Sequence, residues 1–225
     1  MGDLLLIRHG ETAWTVDRRH TSITDLPLTA HGEQQARQLT APLQALDVAR
    51  VLSSPRTRAT HTAQLAGLPD PHICDDLREW DYGAYEGLRT ADILRRRPEW
   101  NLWRDGVPAG TDQPGESPQE VGARADRVLA SLRPDLDSAA GIVIVVGHGH
   151  FLRALAARRL GLPPAAGSLF RLDTATVSRL GTEHGRPVVA QWNESRDHPA
   201  RDVRQEADRS VGPKLPGQRK GLHFK

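Results

Sequence analysis

Apolar residues along this chain fall into short continuous runs, and the segments between the runs carry helical spacing. The runs at 3–8 and 142–146 are almost wholly aliphatic, which is typical of parallel strands covered on both faces. A further short strand is predicted at 50–53. Closing strands or hairpins are predicted at 169–172, 177–180 and 188–192. Strands and helices are thus predicted to alternate through the body of the chain.

The segments between the predicted strands show the periodicity and the end signals of helices. From Thr29 to Leu46 the apolar residues are spaced three and four apart and form one stripe. Ser117 to Glu120 reads as a capping box with proline at the first helical position, and this helix is expected to end at Pro134. Further helices are predicted at 56–66 and 148–160. This order predicts an α/β three-layer sandwich with a mostly parallel central sheet.

Composition narrows the classes of protein to which the chain can belong. A chain of 225 residues is long enough for one large domain with a proper core. The single cysteine, Cys74, excludes a disulfide framework and any cysteine-based zinc or iron–sulfur site. No apolar run approaches the roughly 20 residues that span a bilayer, and the first residues lack the features of a signal peptide. We therefore expect a soluble cytoplasmic protein with no membrane partner.

The positive charge of the chain is concentrated at its C-terminal end. Residues 195–225 hold eight basic and four acidic side chains, so this segment carries +4 while the whole chain carries +2. The body is therefore slightly acidic, and no basic stripe interleaved with aromatic residues indicates a nucleic-acid partner. We expect residues 1–194 to form one domain and residues 195–225 to be a basic extension that contains Pro and Gly. Whether the protein is a monomer or a homo-oligomer is left open.

Basic and imidazole side chains follow three of the predicted strands. Arg8 and His9 follow the first strand, Arg58 comes shortly after the second, and His148 follows the strand at 142–146. Because ligands of open α/β sheets bind outside the carboxyl ends of the strands, we expect these four side chains to share a pocket. Helix N-termini at the same edge add partial positive charge and free N–H groups. Such a pocket suits a tetrahedral oxyanion, of which phosphate is the obvious candidate.

The motifs in these turns resemble those of the histidine phosphatase superfamily, which includes cofactor-dependent phosphoglycerate mutases. The matching residues are Arg8-His9-Gly10-Glu11-Thr12 with Trp14, Ser53-Ser54-Pro55 with Arg58-Ala59, Leu77-Arg78-Glu79 with Gly83 and Glu86-Gly87, and Gly147-His148-Gly149. The segment 100–106, followed by residues 115–117, is similar to the branch that contains sedoheptulose-1,7-bisphosphatase and broad acid phosphatases. Together the motifs span about residues 3–160.

The resemblance implies a phosphatase that works through a phosphohistidine and needs no metal or other cofactor. His9 would be the nucleophile, because a neutral imidazole already carries a lone pair. Arg8, Arg58 and His148 would stabilise the transferring phosphoryl group. Glu79 would protonate the leaving oxygen and then activate water. The partner would be a small phosphorylated substrate, and Glu86 is the nearest alternative to Glu79.

Four further residues are expected to contact the substrate. Thr15 stands where many members of the family have asparagine, so it offers one hydrogen-bond donor where they offer two. Thr21 and Ser22 align with first-loop residues that contact ligand in the mutases. Gly149 follows His148 and lets backbone approach a ligand closely. Thr15, Thr21, Ser22 and Gly149 are therefore the expected substrate-binding residues.

Hydrolysis of a sugar phosphate is the preferred activity, and a mutase is the alternative. Mutases follow the catalytic glutamate with Arg-His-Tyr-Gly, whereas here Glu79 is followed by Trp80-Asp81-Tyr82-Gly83. Two interpretations from other classes remain: a non-catalytic protein that binds a phosphorylated ligand, and a zinc hydrolase. The zinc site would use His9, His148, His150 and Glu79, but the adjacent arginines would repel a cation.

Three features between the motifs have more than one interpretation. The run Arg95-Arg96-Arg97 is either a second phosphate site for a bisphosphorylated sugar or, more often for such runs, a solvated helix face. Trp100 and Trp103 either line the pocket or pack a lid, and packing is favoured. His150 departs from the family pattern and either touches substrate or sits in the first turn of its helix.

Overall fold

The computed structural model describes residues 2–138 and 141–195, so the predicted extension lies outside the described residues from position 196 onward. The strands in the described part are β1 (Leu4–Arg8), β2 (Val48–Ser53), β3 (His72–Ile73), β4 (Ile142–Gly147), β5 (Val177–Glu183) and β6 (Arg186–Glu194). They form one sheet in the order β3-β2-β4-β1-β5-β6. The strands from β3 to β1 are parallel, and the hairpin of β5 and β6 joins the edge at β1 in antiparallel fashion.

Helices connect these strands and cover both faces of the sheet. They are α1 (Ala13–Val16), α2 (Ala30–Gln38), α3 (Thr40–Gln44), α4 (Thr57–Leu65), α5 (Thr90–Arg96), α6 (Leu102–Asp105), α7 (Pro118–Ser138) and α8 (Gly149–Arg159). Short 3-10 helices span Asp75–Leu77, Gly83–Tyr85 and Pro164–Leu169.

Side chains of β1 alternate between two cores, as the twofold period of a strand requires. Leu4 and Leu6 belong to the larger core, which α7 and α8 cover. Leu5 and Ile7 belong to the smaller core, which α2, α3 and α4 cover. Both faces of the sheet are thus buried under helices, and the predicted three-layer sandwich with a mostly parallel sheet is confirmed.

Two predicted helices have different ends in the structure. The helix expected from Thr29 to Leu46 is divided into α2 and α3 at Leu39. The helix expected to end at Pro134 continues to Ser138. A proline inside a helix removes one backbone hydrogen bond. Here Leu136 is buried on the same stripe as Leu132, so the apolar surface that this last turn buries offsets the lost bond.

The strand predicted at 169–172 is wrong. Leu169 ends a 3-10 helix and is 81% exposed, and residues 170–172 belong to none of the strands. The carbonyl oxygen of Leu172 accepts a hydrogen bond from Nη1 of Arg8 at 2.6 Å. The side chain of Arg8 therefore supplies a hydrogen bond to the backbone of this segment, which a neighbouring strand was expected to supply.

The segment between β3 and α7 packs against the larger core. Trp100 and Trp103 are both buried, as the packing interpretation predicted, and the rings of Trp103 and Trp80 meet edge to face with centroids 5.3 Å apart. Trp100 donates its indole N–H to the carbonyl oxygen of Gly106 at 2.9 Å. These contacts join different parts of the segment to one another, and its three buried tryptophans belong to the larger core.

Candidate active site

The loops after β1, β2 and β4 meet at one edge of the sheet, because these strands are parallel neighbours. His9 follows β1, Arg58 lies in the first turn of α4 after β2, and His148 follows β4. The ring centroids of His9 and His148 are 5.1 Å apart. Nε of Arg58 donates to Nδ1 of His148 at 3.3 Å. The structure therefore brings together His9 and His148, which are 139 residues apart in the sequence.

A cavity of about 280 Å³ opens over this edge. It is lined by Arg8, His9, Thr15, Arg18, Arg19, His20, Thr21, Glu79, Tyr82, Thr90, Gly149, His150, Arg153 and Leu172. Arg58 and His148 are almost completely buried and lie in contact with its inner residues. Its volume suits one small metabolite, and four of its lining side chains are guanidinium groups.

His9 is held in the tautomer that a nucleophile needs. Its Nδ1 lies 2.8 Å from the carbonyl oxygen of Gly10, which can only accept, so Nδ1 carries the hydrogen and Nε2 carries the lone pair. Burial lowers the pKa of His9 well below 6.5, and the charges of Arg58 and Arg8 lower it further. The ring is therefore neutral at neutral pH and can attack without a base to deprotonate it.

His148 is fixed by a hydrogen bond at each ring nitrogen. Nδ1 accepts from Arg58, so the ring hydrogen is on Nε2, which lies 2.7 Å from Oγ of Ser54 and donates to it. Burial lowers the pKa of His148 well below 6.5, with Arg58 as the second cause. Ser54 belongs to a motif that the sequence analysis quoted, but its contact with His148 was not anticipated.

The two arginines are oriented by backbone carbonyl groups. Arg58 donates from Nη1 to Thr24 at 3.0 Å and from Nη2 to Ser22 at 3.1 Å. Arg8 donates from Nη1 to Leu172, whereas its Nε is buried without a hydrogen-bond partner among the described residues. A buried N–H without an acceptor is costly, and an oxyanion bound beside it would supply one.

Glu79 is 7% exposed, and backbone N–H groups fix its carboxylate. Oε1 accepts from Trp80 at 2.9 Å and from Phe151 at 2.8 Å, and Oε2 accepts from His150 at 3.0 Å. Two of these donors belong to the first turn of α8, whose free N–H groups hold the carboxyl group in place. Glu86 does not line the cavity, and its carboxylate instead accepts from the backbone N–H groups of Ser22 and Thr24.

Arg124 holds the segment that carries Glu79, and the sequence analysis did not identify it. Its guanidinium donates to the carbonyl oxygens of Asp76, Arg78 and Glu79 at 2.7, 2.8 and 3.2 Å. It also forms a two-point ion pair with Glu116, with both distances 2.7 Å. A signal was present in the sequence, because Arg124 falls on the apolar stripe of α7, where a charged side chain needs a specific partner.

Replacement of Arg124 by methionine is expected to lower the free energy of unfolding by about 3 kcal/mol, because Glu116 and several carbonyl groups would lose their donor. Urea unfolding measures this loss. Arg127→Met is the matched control on the same helix, since Arg127 is exposed and pairs with Asp76 at the surface. The control is expected to cost less than about 1 kcal/mol. If both variants lost the same free energy of unfolding, the buried contacts of Arg124 would stabilise the protein no more than a surface ion pair does.

Of the four expected substrate-binding residues, three line the cavity and one does not. Thr15, Thr21 and Gly149 line the cavity, but the Thr15 hydroxyl already donates to the carbonyl oxygen of Thr12 at 2.8 Å. A Cβ on Gly149 would lie 3.3 Å from Cζ of Arg8, so the glycine leaves room for that guanidinium. Ser22 lies outside the lining of this cavity, is buried, and accepts from Arg58 through its carbonyl oxygen.

The wall of the cavity away from His9 is built from rings. Oη of Tyr82 lies 2.5 Å from Nδ1 of His150, and the ring centroids of Tyr82 and His20 are 4.5 Å apart. Nε2 of His20 lies 3.3 Å from Oγ1 of Thr90. Of these residues only His150 was considered as a contact for the substrate, and the structure places it in the lining of the cavity.

His20 makes the stability of the protein depend on pH. Burial lowers the pKa of His20 from 6.5 to about 4. The unfolded chain therefore binds a proton at His20 at a higher pH than the folded chain, and stability falls as the pH falls from 6.5 towards 4. Between pH 7 and pH 5 this residue alone is expected to remove about 2 kcal/mol.

Urea unfolding of wild type and His20→Phe at pH 7 and pH 5 measures this contribution. Phenylalanine preserves a ring against Tyr82 and Trp100, so the variant is expected to lose about 2 kcal/mol less than wild type between the two pH values. His72→Phe, on the exposed strand β3, is the matched control and is expected to retain the wild-type difference. If His20→Phe lost as much free energy of unfolding between pH 7 and pH 5 as wild type does, His20 would not be the source of this pH dependence.

The zinc alternative finds no support in the geometry. Within the described ranges 2–138 and 141–195, no group of three or more His, Cys, Asp or Glu side chains is placed to hold a metal ion. His148 is fully buried between Arg58 and Ser54. In the same part of the chain, no helix combines the length and hydrophobicity that crossing a bilayer requires.

Comparison with known proteins identifies relatives that share this site-bearing domain. Residues 4–195 match the model of the histidine phosphatase superfamily, branch 1. The chain is 45% identical to an acid phosphatase of Mycobacterium tuberculosis over 185 residues, which cover 81% of this chain and 87% of the relative. It is 34% identical to sedoheptulose 1,7-bisphosphatase of Saccharomyces cerevisiae over 187 residues, 70% of this chain and 67% of the relative.

A solved structure agrees with this assignment. The fold is similar to that of mycobacterial glucosyl-3-phosphoglycerate phosphatase in complex with VO3, with a TM-score of 0.74 and 30% sequence identity. The alignment covers 87% of this chain and 100% of the solved one. The similarity therefore extends over most of the part of the chain that the structure describes.

Proposed function

Since this chain belongs to the histidine phosphatase superfamily, we propose that it is a metal-independent phosphomonoesterase that hydrolyses a small sugar phosphate through a phosphohistidine intermediate. The observation that carries the proposal is the state of His9, which is neutral and has its lone pair on Nε2. The relatives named for sedoheptulose bisphosphate and glucosyl-phosphoglycerate support a phosphorylated sugar derivative as substrate.

The first step transfers the phosphoryl group to the protein. Nε2 of His9 attacks phosphorus in line with the leaving oxygen, so a P–N bond forms while the P–O ester bond breaks. Glu79, in its protonated form, gives its proton to the departing oxygen and releases an alcohol. The products of this step are phosphohistidine and the Glu79 carboxylate.

The second step returns the protein to its starting state. The Glu79 carboxylate accepts a proton from water while the water oxygen attacks phosphorus and the P–N bond breaks. Inorganic phosphate leaves, His9 is neutral again, and Glu79 is again protonated. One side chain thus serves as acid and then as base, which is why a single fixed carboxylate suffices.

Three groups balance the charge of the transferring phosphoryl group. The guanidinium groups of Arg8 and Arg58 are held near His9 by carbonyl oxygens. The ring of His148 lies beside that of His9, and its Nε2–H, which donates to Oγ of Ser54, donates to a phosphoryl oxygen once substrate replaces that acceptor. Donors that are fixed before the reaction need little reorganisation when charge shifts to the equatorial oxygens. This arrangement does electrostatically what a metal ion does in other phosphoryl-transfer proteins.

The proposal is tested by phosphate release from a panel of phosphorylated sugars, glycerates and nucleotides, with His9→Ala as the blank. Release from at least one sugar phosphate, inhibition by vanadate and full activity in EDTA are expected. No release from any ester would refute the hydrolase. Conversion of 3-phosphoglycerate to 2-phosphoglycerate in the presence of its bisphosphate would identify a mutase instead. Activity lost in EDTA and restored by zinc would refute metal independence.

A further inference from the structure

The cavity carries more positive charge than one phosphoryl group requires. Besides Arg8, its lining includes Arg18, Arg19 and Arg153, whereas Glu79 is the only carboxylate among the described residues that line it. Arg19 is paired with Asp17 at 3.2 Å, but neither Arg18 nor Arg153 has an anionic partner among the described residues. Two cations therefore remain in excess at the cavity after the catalytic groups have been assigned.

Arg153 is half-buried and fixed in place. Its Nε donates to the carbonyl oxygen of Gly167 at 2.9 Å and its Nη2 to that of Ser168 at 3.3 Å. The guanidinium also lies over the ring of Trp103, 4.8 Å from its centroid. Neutral carbonyl groups and a ring orient the charge without neutralising it, which is how a binding site for an anion is prepared in advance.

His150 adds a directed neutral donor beside Arg153. Burial raises the pKa of Tyr82 well above 10, so its hydroxyl keeps its hydrogen. Oη lies 2.5 Å from Nδ1 of His150, and we assign the hydroxyl as the donor of this hydrogen bond. The ring hydrogen of His150 is therefore on Nε2, for which the described part of the chain provides no hydrogen-bond partner. A neutral N–H donor next to a guanidinium is suited to an oxygen of an anionic group.

Arg18 lies at the rim of the same cavity. Its backbone has a φ of 57°, a left-handed conformation that is unfavourable for a residue with a long side chain. Its guanidinium is exposed and has no hydrogen bond or ion pair within the described residues. A strained turn thus places an unpaired positive charge at the opening of the cavity.

We propose that Arg153, His150 and Arg18 form a second anion subsite, and that the substrate is a bisphosphorylated metabolite whose second phosphate binds there. This inference rests on the proposed phosphatase function and specifies its substrate class. One phosphate is transferred to His9 while the other is held by this subsite and stays on the leaving group. The subsite thereby orients the alcohol oxygen towards Glu79.

The basic run at 95–97 is the alternative place for a second phosphate, and the structure puts it elsewhere. Arg95 pairs with Asp92 at 2.6 Å and is exposed, while Arg97 donates to Oη of Tyr85 at 2.9 Å. None of the three arginines lines the cavity that contains His9. The run therefore fits the interpretation as a solvated helix face.

Binding to the His9→Ala protein tests the subsite without turnover. Isothermal titration would compare fructose 1,6-bisphosphate with fructose 6-phosphate, which differ by one phosphate. The bisphosphate is expected to bind at least about tenfold more tightly, since a charge-assisted hydrogen bond contributes about one factor of ten or more. Adding Arg153→Gln is expected to lower this ratio about tenfold, and adding Arg18→Gln about threefold. Arg95→Gln is the matched control and is expected to leave the ratio within twofold.

Several results would overturn the subsite. Equal affinity for the two ligands would do so, as would an Arg153→Gln variant that weakens both ligands equally, because that variant would have lost structure and not a phosphate contact. If Arg95→Gln abolished the preference for the bisphosphate over the monophosphate, the second phosphate would bind at the basic run 95–97. If 3-phosphoglycerate binds more tightly than the bisphosphate and depends on Arg153, the second group is a carboxylate.

The proposed function and the subsite can fail separately. Arg18→Gln is informative even if Arg153→Gln does not fold, because the Arg18 side chain is exposed and makes no contact that the fold needs. Arg153→Lys, which retains the charge, is expected to restore at least half of the preference in free-energy terms. Tight binding of the bisphosphate by a wild-type protein that releases no phosphate would refute the phosphatase and retain the subsite.

Discussion

Replacement of His9 by alanine is expected to lower kcat/KM for phosphate release about 10⁵-fold, the largest effect of any single substitution in this protein. The variant retains the donors of Arg8, Arg58 and His148 but has no atom that can form the P–N bond. His9 is buried, and the hydrogen bond that its side chain makes within the described residues is to the neighbouring carbonyl of Gly10, so its loss is expected to leave the cavity otherwise intact. Steady-state phosphate release and circular dichroism of the variant measure the two effects separately.

The matched control for His9 is His61→Ala, on α4 outside the cavity. This variant is expected to retain activity within twofold. A brief reaction of wild type with a ³²P-labelled substrate, stopped with alkali, should leave label on the protein that is lost in acid, as a phosphohistidine requires. A His9→Ala protein with more than about 1% of wild-type activity would show that another group, or water directly, attacks phosphorus.

Replacement of Glu79 by glutamine is expected to lower kcat/KM for alkyl phosphates about 10³-fold, because both proton transfers pass through this carboxyl group. With p-nitrophenyl phosphate the outcome should differ, since the nitrophenolate leaves without needing a proton. The first step then remains fast while water attack on phosphohistidine is slow. A burst of one nitrophenolate per active site, followed by slow turnover, is therefore expected in a stopped-flow measurement.

Glu33→Gln, on the exposed face of α2, is the control and is expected to be fully active without a burst. The Glu79 variant needs its own check of folding, because the amide nitrogen that replaces one oxygen cannot accept a backbone N–H, so the bond from His150 or the bonds from Trp80 and Phe151 are lost. Equal losses on alkyl and nitrophenyl phosphates, with no burst, would show that Glu79 acts only by holding the loop in place.

Local sequence predicted the central part of this fold, because the strands β1 and β4 are buried on both faces. Leu4 to Ile7 and Val143 to Val146 must be apolar to lie between two layers of helices, and that requirement is visible as continuous aliphatic runs. The short helix α6 was not predicted, and α5 was expected only as the solvated helix face that carries Arg95-Arg96-Arg97. They are held by long-range contacts such as the burial of Trp103 against Trp80, and helices of this length have little stability of their own.

The residues of the site also divide into those that local sequence predicted and those that only long-range packing placed. His9, Arg58 and His148 were expected to meet because each follows a parallel strand, and strand ends of one sheet share an edge. Arg124 and Tyr82 were not identified, since their partners are reached only through the packing of α7 and α8 against the rest of the chain.

The amino-acid order alone therefore determined the buried central strands β1 and β4, which turns carry imidazole and guanidinium groups, and that these turns share one edge of a parallel sheet. Each of these depends on spacing within a few residues or on the geometry that all parallel sheets have. The tertiary structure decided which nitrogen of His9 is free, what fixes Glu79, and where unpaired positive charge remains. Those depend on burial and on contacts between distant segments, such as Glu79 with Phe151 across 72 residues, and local patterns carry no information about them.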